Sequence, residues 1–104
     1  MLAGTPVIDF IKDYVQYCKS LNINFDRVIL FGSYAHGTPH PDSDIDVALV
    51  SSLFSNNGFE NRKRISKANI RFTPIEPHTF STAYFEKGDP FIEEIKRTGI
   101  EVAI

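Results

Sequence analysis

The sequence contains one cysteine, Cys18, and no tryptophan among its 104 residues. A lone cysteine cannot form an intramolecular disulfide, so the chain is not a small disulfide-stabilised secreted domain. The longest apolar runs, residues 28–31 and 47–50, are far shorter than the roughly 20 residues of a membrane-spanning helix. Charges interrupt the apolar residues near the N-terminus, which is atypical of a signal peptide. We therefore expect a cytoplasmic protein without a membrane segment.

Neither sign of charge dominates, because 11 lysines and arginines stand against 13 aspartates and glutamates, for a net charge of −2. Sustained binding to a duplex normally needs several basic contacts to phosphates, so direct nucleic-acid binding is not expected. A local exception consists of Arg62, Lys63, Arg64 and Lys67. Such a run is more often the solvated side of a helix than a binding surface, and we interpret it in that way.

Hydrophobic residues make up 42% of the chain, and glycine and proline contribute six residues each. This composition excludes disordered and collagen-like proteins. Because domains typically contain about 100–150 residues, residues 1–104 are expected to form one domain.

The pattern of apolar and turn residues predicts helices and strands in a mixed order. Helices are expected over residues 6–21, over 58–69, and from Asp89-Pro90 to Gly99. Strands are expected over residues 27–31, 44–50, within 70–80 and over 100–104, with two prolines making the third strand short or edge-like. This order is typical of the α+β class, with a small mixed β-sheet and helices packed on it.

A glycine-serine pair follows the first predicted strand. Glycine permits close approach and unusual φ angles, so Gly32 and Ser33 can turn backbone N–H groups toward a phosphate, and the serine hydroxyl adds a donor. If residues 33–35 begin a short helical turn, its N–H groups and dipole favour an anion there. Taken alone, such a pair is more often a simple turn.

Two aspartates lie at the start of the second predicted strand. Side chains alternate along a strand, so Asp44 and Asp46 are expected on one face, about 6–7 Å apart at their backbones. Paired carboxylates are the hard oxygen ligands that Mg²⁺ or Mn²⁺ binds. The alternative is a charged strand end in solvent, with Asp44 capping a turn.

Together, Gly32-Ser33 and Asp44-x-Asp46, with ten residues between Ser33 and Asp44, resemble the motif of the DNA polymerase beta-like nucleotidyltransferases. The stretch GSYAHGTPHPDSDIDVALV, about a fifth of the chain, is similar in particular to their minimal, single-domain members. The order of predicted elements around it also fits the core of that family.

The resemblance implies that a nucleoside monophosphate, expected to be AMP from ATP, is transferred to an acceptor hydroxyl with release of pyrophosphate. It implies that Gly32 and Ser33 bind the nucleotide and that Asp44 and Asp46 hold two Mg²⁺ ions, replaceable by Mn²⁺. The family's third carboxylate comes from a later strand, and the matching position here is Glu76. Glu76 is accordingly predicted as a metal ligand that assists deprotonation of the acceptor; the alternative is an exposed glutamate near a strand end.

The acceptor is the open question. Minimal members of the family pair with a small helical protein of the HEPN type and act as antitoxins that add AMP to it, so the resemblance implies such a partner. Two alternatives stay open: a binding module that neutralises its partner by contact alone, and a nucleotidyltransferase for a small molecule. Four aromatic residues are candidates either for the core or for the partner contact, namely Phe80, Tyr84, Phe85 and Phe91. His78 is interpreted as a surface histidine, with a place in the lining of the site as the alternative.

Overall fold

A computed structural model of the chain describes residues 5–39 and 43–104. Within these ranges lie six helices: α1 (Thr5–Ser20), α2 (Ser33–His36), α3 (Gly58–Arg64), α4 (Ser66–Arg71), α5 (Thr82–Lys87) and α6 (Pro90–Thr98). Four strands accompany them: β1 (Arg27–Phe31), β2 (Ile45–Ser51), β3 (Ile75–Ser81) and β4 (Ile100–Glu101). None of these helices is both long enough and apolar enough to cross a membrane.

The four strands form one mixed sheet in the order β3-β2-β1-β4. Strand β1 pairs antiparallel with β2 and β4, whereas β2 pairs parallel with β3. The predicted α+β class, with a small mixed sheet and packed helices, is confirmed. The parallel pair brings residues from distant parts of the sequence into register, because β2 and β3 are separated by two helices along the chain.

One face of the sheet, which we call the core face, has one buried polar residue, Ser51 at the end of β2, and is otherwise built from buried apolar residues: Val28, Leu30, Ile45, Val47, Leu49 and Ile75. Helices α1 and α4 pack against it, and Cys18 of α1 is a fully buried member of this core, as expected for a small apolar residue. Burial raises the pKa of the Cys18 thiol to about 11. The alternation of side chains along each strand assigns the intervening residues to the opposite face.

That opposite face, which we call the mixed face, carries Ile29, Phe31, Asp46, Ala48, Val50, Glu76, His78 and Phe80. Its apolar part is a second core, in which Ile29, Ala48 and Val50 pack under Phe85 of α5 and two isoleucines of α6. Of the four aromatic residues in question, Phe85 is buried and Phe91 is exposed, and the other two are partly buried.

The prediction of one helix over residues 58–69 is wrong, because the chain turns at Ile65 and forms α3 and α4 instead. The two helices are attached to different neighbours. The Asn61 side chain donates to the Thr79 hydroxyl of β3 at 3.2 Å, whereas Asn69 accepts from the Tyr14 hydroxyl of α1 at 2.9 Å. The two short helices are thus held by hydrogen bonds to different elements, α3 to β3 and α4 to α1.

Other boundaries differ by smaller amounts. Strand β1 has its predicted ends, β2 is shifted by one residue, and β4 is two residues long rather than five. Strand β3 lies at the sheet edge as its prolines predict, where the missing N–H of Pro77 is tolerated. Helix α5 was not predicted, although its N-cap Ser81, which accepts from the backbone N–H of Tyr84, is a recognisable start signal.

Candidate active site

Gly32 lies where β1 ends, and its geometry requires glycine for two reasons. Its φ of 77° and ψ of −154° belong to a region that only glycine adopts without strain. A Cβ atom at this position would also come within 2.4 Å of the Asp46 carboxylate. Phe31 is in register with Asp46, so the turn after β1 packs directly against that side chain.

The helical turn that was only a condition for residues 33–35 is present as α2, which ends at Gly37, whose φ of 75° is left-handed. Ser33, its first residue, is partly exposed beside the Gly32 turn. Residues 40–42, which come between α2 and Asp44 in the sequence, lie outside the described residues. The roles of Gly32 and Ser33 in binding phosphate stay predictions.

The two aspartates occupy different structural positions. Asp46 lies within β2, a central strand, and is partly exposed on the mixed face. The prediction that the strand begins at Asp44 is wrong by one residue, because sheet pairing begins at Ile45, whose N–H donates to the Pro74 carbonyl at 2.8 Å. Asp44 is exposed and immediately precedes the strand.

Glu76 is the residue that the sheet brings to this site from far along the sequence. It is in register with Asp46 across the parallel β2–β3 pair, so both side chains lie on the mixed face of neighbouring strands about 4.8 Å apart. Arg62 of α3 donates to the Glu76 carboxylate at 3.3 Å and to the Pro77 carbonyl at 3.2 Å. The guanidinium thus reaches across the open edge of β3 to a predicted site residue.

His78 lies beside the predicted site, which is the alternative to a simple surface histidine. Its Nε2 lies 3.2 Å from Asp46 Oδ1, and its side chain is about 31% exposed. The imidazole packs edge-on against Phe31, with centroids 4.9 Å apart, and against Phe91 at 6.1 Å. The only local signal for this placement is the two-residue spacing from Glu76, which puts both side chains on one face.

The donor chemistry fits a divalent cation, because Asp44, Asp46 and Glu76 offer the carboxylate oxygens that Mg²⁺ prefers. Among residues 5–39 and 43–104, however, no three His, Cys, Asp or Glu side chains converge closely enough to form a ready-made metal centre. Asp46 faces His78 and Glu76 faces Arg62. The assignment of the three carboxylates as metal ligands stays a prediction.

A cleft of about 400 Å³ lies beside the far end of β3, lined by Ser55, Asn56, Gly58, Asn61, Thr79, Phe80, Ser81, Tyr84 and Asp89. None of the three predicted metal ligands is among these described lining residues. Phe80 is four residues beyond Glu76, which corresponds to about 13 Å along the strand. The carboxylates therefore lie on a separate part of the mixed face.

Comparison with known proteins adds three findings. A family model described as "Nucleotidyltransferase domain" matches residues 11–102. A Methanocaldococcus jannaschii protein named "putative protein adenylyltransferase" is 30% identical over 99 residues, covering 92% of this chain and 98% of that protein. The crystal structure of a "putative nucleotidyltransferase" from Sulfolobus solfataricus matches with a TM-score of 0.63 at 22% identity, covering 90% of this chain and 77% of the other. At that identity, the structural match shows a shared fold.

Proposed function

This chain belongs to the nucleotidyltransferase domain family, and we propose that it transfers AMP from ATP to a hydroxyl group of a partner protein. The observation that carries the proposal is the register of three strands. Phe31 pairs with Asp46, and Asp46 pairs with Glu76, so the Gly32 turn and two carboxylates lie side by side. The name of the Methanocaldococcus jannaschii relative supports a protein as the acceptor.

The nucleotide would bind where β1 turns into α2. Gly32 leaves its backbone open to close approach, because it carries no side chain and its φ is positive. The backbone of this turn and the Ser33 hydroxyl would donate to the triphosphate. The α-phosphorus would then lie toward Asp46, which packs against the same glycine.

Asp44, Asp46 and Glu76 would hold Mg²⁺, which Mn²⁺ can replace. When bound, such ions neutralise the charge of the leaving pyrophosphate and favour ionisation of the acceptor hydroxyl. The acceptor oxygen forms a bond to the α-phosphorus while the bond to pyrophosphate breaks. Glu76 is the proposed acceptor of the hydroxyl proton, because it is the carboxylate on the outer strand.

The proposed partner is a small helical protein of the HEPN type, with this chain acting as its antitoxin in the cytoplasm. Phe91 supports a protein contact beside the site, because its ring is 47% exposed and packs against Phe31 with centroids 5.7 Å apart. An exposed aromatic side chain next to a reactive site is typical of a protein interface.

A second candidate function is neutralisation of the partner by contact alone. It is favoured by the partners of the two carboxylates: Arg62 pairs with Glu76, and His78 lies beside Asp46. In this alternative Glu76 serves in a structural ion pair with Arg62, Asp46 is held by its contact with His78, and AMP is not transferred.

The test combines binding and transfer. Calorimetry with ATP should give clearly tighter binding with Mg²⁺ than with EDTA, and Asp46→Asn should abolish that gain. The chain is then incubated with Mg²⁺, ATP and a small helical protein of the HEPN type, taken from a gene adjacent to its own where one is present. We expect the partner's intact mass to rise by one or more AMP units in the mass spectrum.

Asp9→Asn is the matched control, because Asp9 is an exposed aspartate on α1 whose substitution removes the same charge. Equal ATP affinity with and without Mg²⁺ would contradict the metal-dependent reaction. A tight complex without any mass increase would instead support the contact-only function.

A further inference from the structure

Helices α3 and α4 share one buried stripe with the residues that end them, Ile65 and Phe72, and its other two members are Asn61 and Ala68. Their spacings of four, three and four residues are those of one helix face. Although the chain turns at Ile65, both helices thus present the same side to the sheet and to α1. The residues two positions away from this stripe lie about 200° around the helix, on the outside.

Those outer positions hold Phe59, Lys63, Lys67 and Ile70, which we call the outer stripe. Its two apolar members are the most exposed large hydrophobic residues in the described part of the chain, at 73% for Phe59 and 76% for Ile70. Between them lie two exposed lysines, and the Lys63 ammonium is 5.8 Å from the Phe59 ring centroid. The solvated side of a helix accounts for the lysines but not for the two exposed apolar ends.

The region around the outer stripe is strongly basic within an acidic chain. Residues 58–71 contain five of the 11 lysines and arginines but only one of the 13 aspartates and glutamates. Arg62, beside the stripe, contacts Glu76 at 3.3 Å. The basic surface is therefore continuous with the predicted catalytic site.

We propose that the outer stripe docks an acidic protein segment with apolar side chains, and that this segment belongs to the protein that delivers the acceptor hydroxyl; the proposal rests on the function proposed above. Complementary charge would orient the segment, and Phe59 and Ile70 would bury apolar side chains at its two ends.

A nucleic acid is the less suitable occupant of the same surface. The outer stripe ends in an aliphatic side chain, Ile70, which offers neither a stacking plane nor a hydrogen bond to a base. The rest of the chain carries twelve acidic residues and only six basic ones, so it repels a long polyanion. A short acidic protein segment meets the basic region without that penalty.

The test measures binding of a fluorescently labelled random copolymer of glutamate and tyrosine by anisotropy. This probe supplies acidic groups, aromatic side chains and hydroxyl acceptors together. We expect the parent chain to bind it and Lys63→Glu/Lys67→Glu to bind it roughly tenfold or more weakly, with the difference shrinking at high salt. Lys12→Glu/Lys19→Glu, two exposed lysines of α1, makes the same charge change and should bind almost as the parent does.

The apolar part of the proposal has its own variant. Phe59→Ser/Ile70→Ser keeps every charge and should weaken copolymer binding by a few-fold at both low and high salt, because buried apolar area is not screened. Mg²⁺ and ATP are then added, and the amount of AMP attached to copolymer tyrosines is measured. This amount should decrease across the variants in parallel with their binding of the copolymer.

The two proposals fail in different ways. A chain that binds the copolymer through the outer stripe but attaches no AMP contradicts the proposed reaction and leaves the docking surface intact. The docking proposal is overturned if Lys63→Glu/Lys67→Glu and Lys12→Glu/Lys19→Glu bind the copolymer equally well. It is also overturned if the copolymer does not bind at low salt, or if single-stranded RNA of similar length binds with higher affinity and displaces the copolymer.

Discussion

The two faces of the sheet are built from the same strands and differ in what they do. The core face is apolar at its buried strand positions apart from Ser51, and it is covered by α1 and α4. The mixed face is apolar only where α5 and α6 cover it, and its remaining part carries Asp46, Glu76 and His78. Residues adjacent in sequence, such as Asp46 and Val47, therefore belong to different environments.

This difference shows how a chain of 104 residues can combine a stable fold with a charged site. Because the core face closes the structure independently of the carboxylates, the strands that carry Asp46 and Glu76 are held by apolar packing on their other side. Substitutions on the core face should consequently lower mainly the stability, whereas substitutions of the charged residues on the mixed face should lower mainly the activity.

The largest effect is expected on the core face. Leu49→Ala removes a fully buried side chain from β2 and should lower the free energy of unfolding by about 2–5 kcal/mol, because it leaves a cavity. Phe91→Ala, at the exposed edge of the mixed face, should cost only about 1 kcal/mol through lost ring contacts. Urea denaturation followed by circular dichroism measures both, and equal losses would contradict the contrast between the faces.

On the mixed face the main effect should be on activity. Asp46→Asn should reduce the rate of pyrophosphate release from ATP at least about 100-fold, as expected when one charge-stabilising group is removed from a reaction centre. Its urea midpoint should stay close to that of the parent, because the Asp46 side chain is partly exposed. Full activity in this variant would show that the reaction does not use the carboxylate.

Gly32→Ala should lower both stability and nucleotide binding, because Gly32 has a backbone conformation that favours glycine and also packs against Asp46. The backbone conformation there costs a non-glycine residue about 1–3 kcal/mol, and the new Cβ would displace the Asp46 carboxylate. We expect lower stability together with weaker Mg²⁺-dependent ATP binding in calorimetry. Gly58→Ala is the control, because a Cβ atom at Gly58 would meet nothing within 4 Å and the substitution should be neutral or stabilising.

Arg62→Gln probes the ion pair at the edge of the mixed face. Both partners are about half exposed, so stability should change by less than about 1 kcal/mol. Mn²⁺ affinity, measured by electron paramagnetic resonance, should rise by roughly two- to tenfold, since a cation near Glu76 opposes metal binding by about 1 kcal/mol. Arg62→Lys keeps the charge and should show a smaller rise; weaker Mn²⁺ binding in Arg62→Gln would contradict this competition.

The smallest expected effect concerns Asp89, the N-cap of α6 over the mixed face. The Tyr84 hydroxyl donates to its carboxylate at 2.5 Å, and this bond, with the N–H of Ile92, holds the pKa of Asp89 below its ordinary value. A lowered folded-state pKa stabilises the fold above the unfolded pKa of aspartate, and this contribution is lost as the pH falls through the folded value. Asp89→Asn should therefore have a slightly lower melting temperature at neutral pH, and the difference should vanish in acid.

Tyr84→Phe removes the hydrogen bond that contributes most to lowering the pKa of Asp89. The melting temperature of this variant should therefore fall less steeply than that of the parent as the pH is lowered. The melting temperature followed by circular dichroism from neutral to acid pH compares the variants. A difference that grows as the pH falls would contradict the assignment.

Much of this structure was predictable because its signals are local. The apolar run at 28–31, which Gly32 follows, indicated β1, and the Asp89-Pro90 start and Gly99 stop indicated α6. The Gly-Ser and Asp-x-Asp spacing indicated the nucleotidyltransferase family, which the family model confirms. The break at Ile65 was not predictable, because the residues that anchor α3 and α4 lie in β3 and α1.

By itself, the sequence determined the ends of β1, the alternation of side chains along β2, and the start and stop of α6, since each depends on neighbours a few positions apart. Only the tertiary structure decided that Glu76 lies in register with Asp46, that His78 contacts Asp46, and that Arg62 reaches Glu76. Strand order and register follow from how both faces of the sheet bury their apolar side chains together, and that packing is a property of the whole fold.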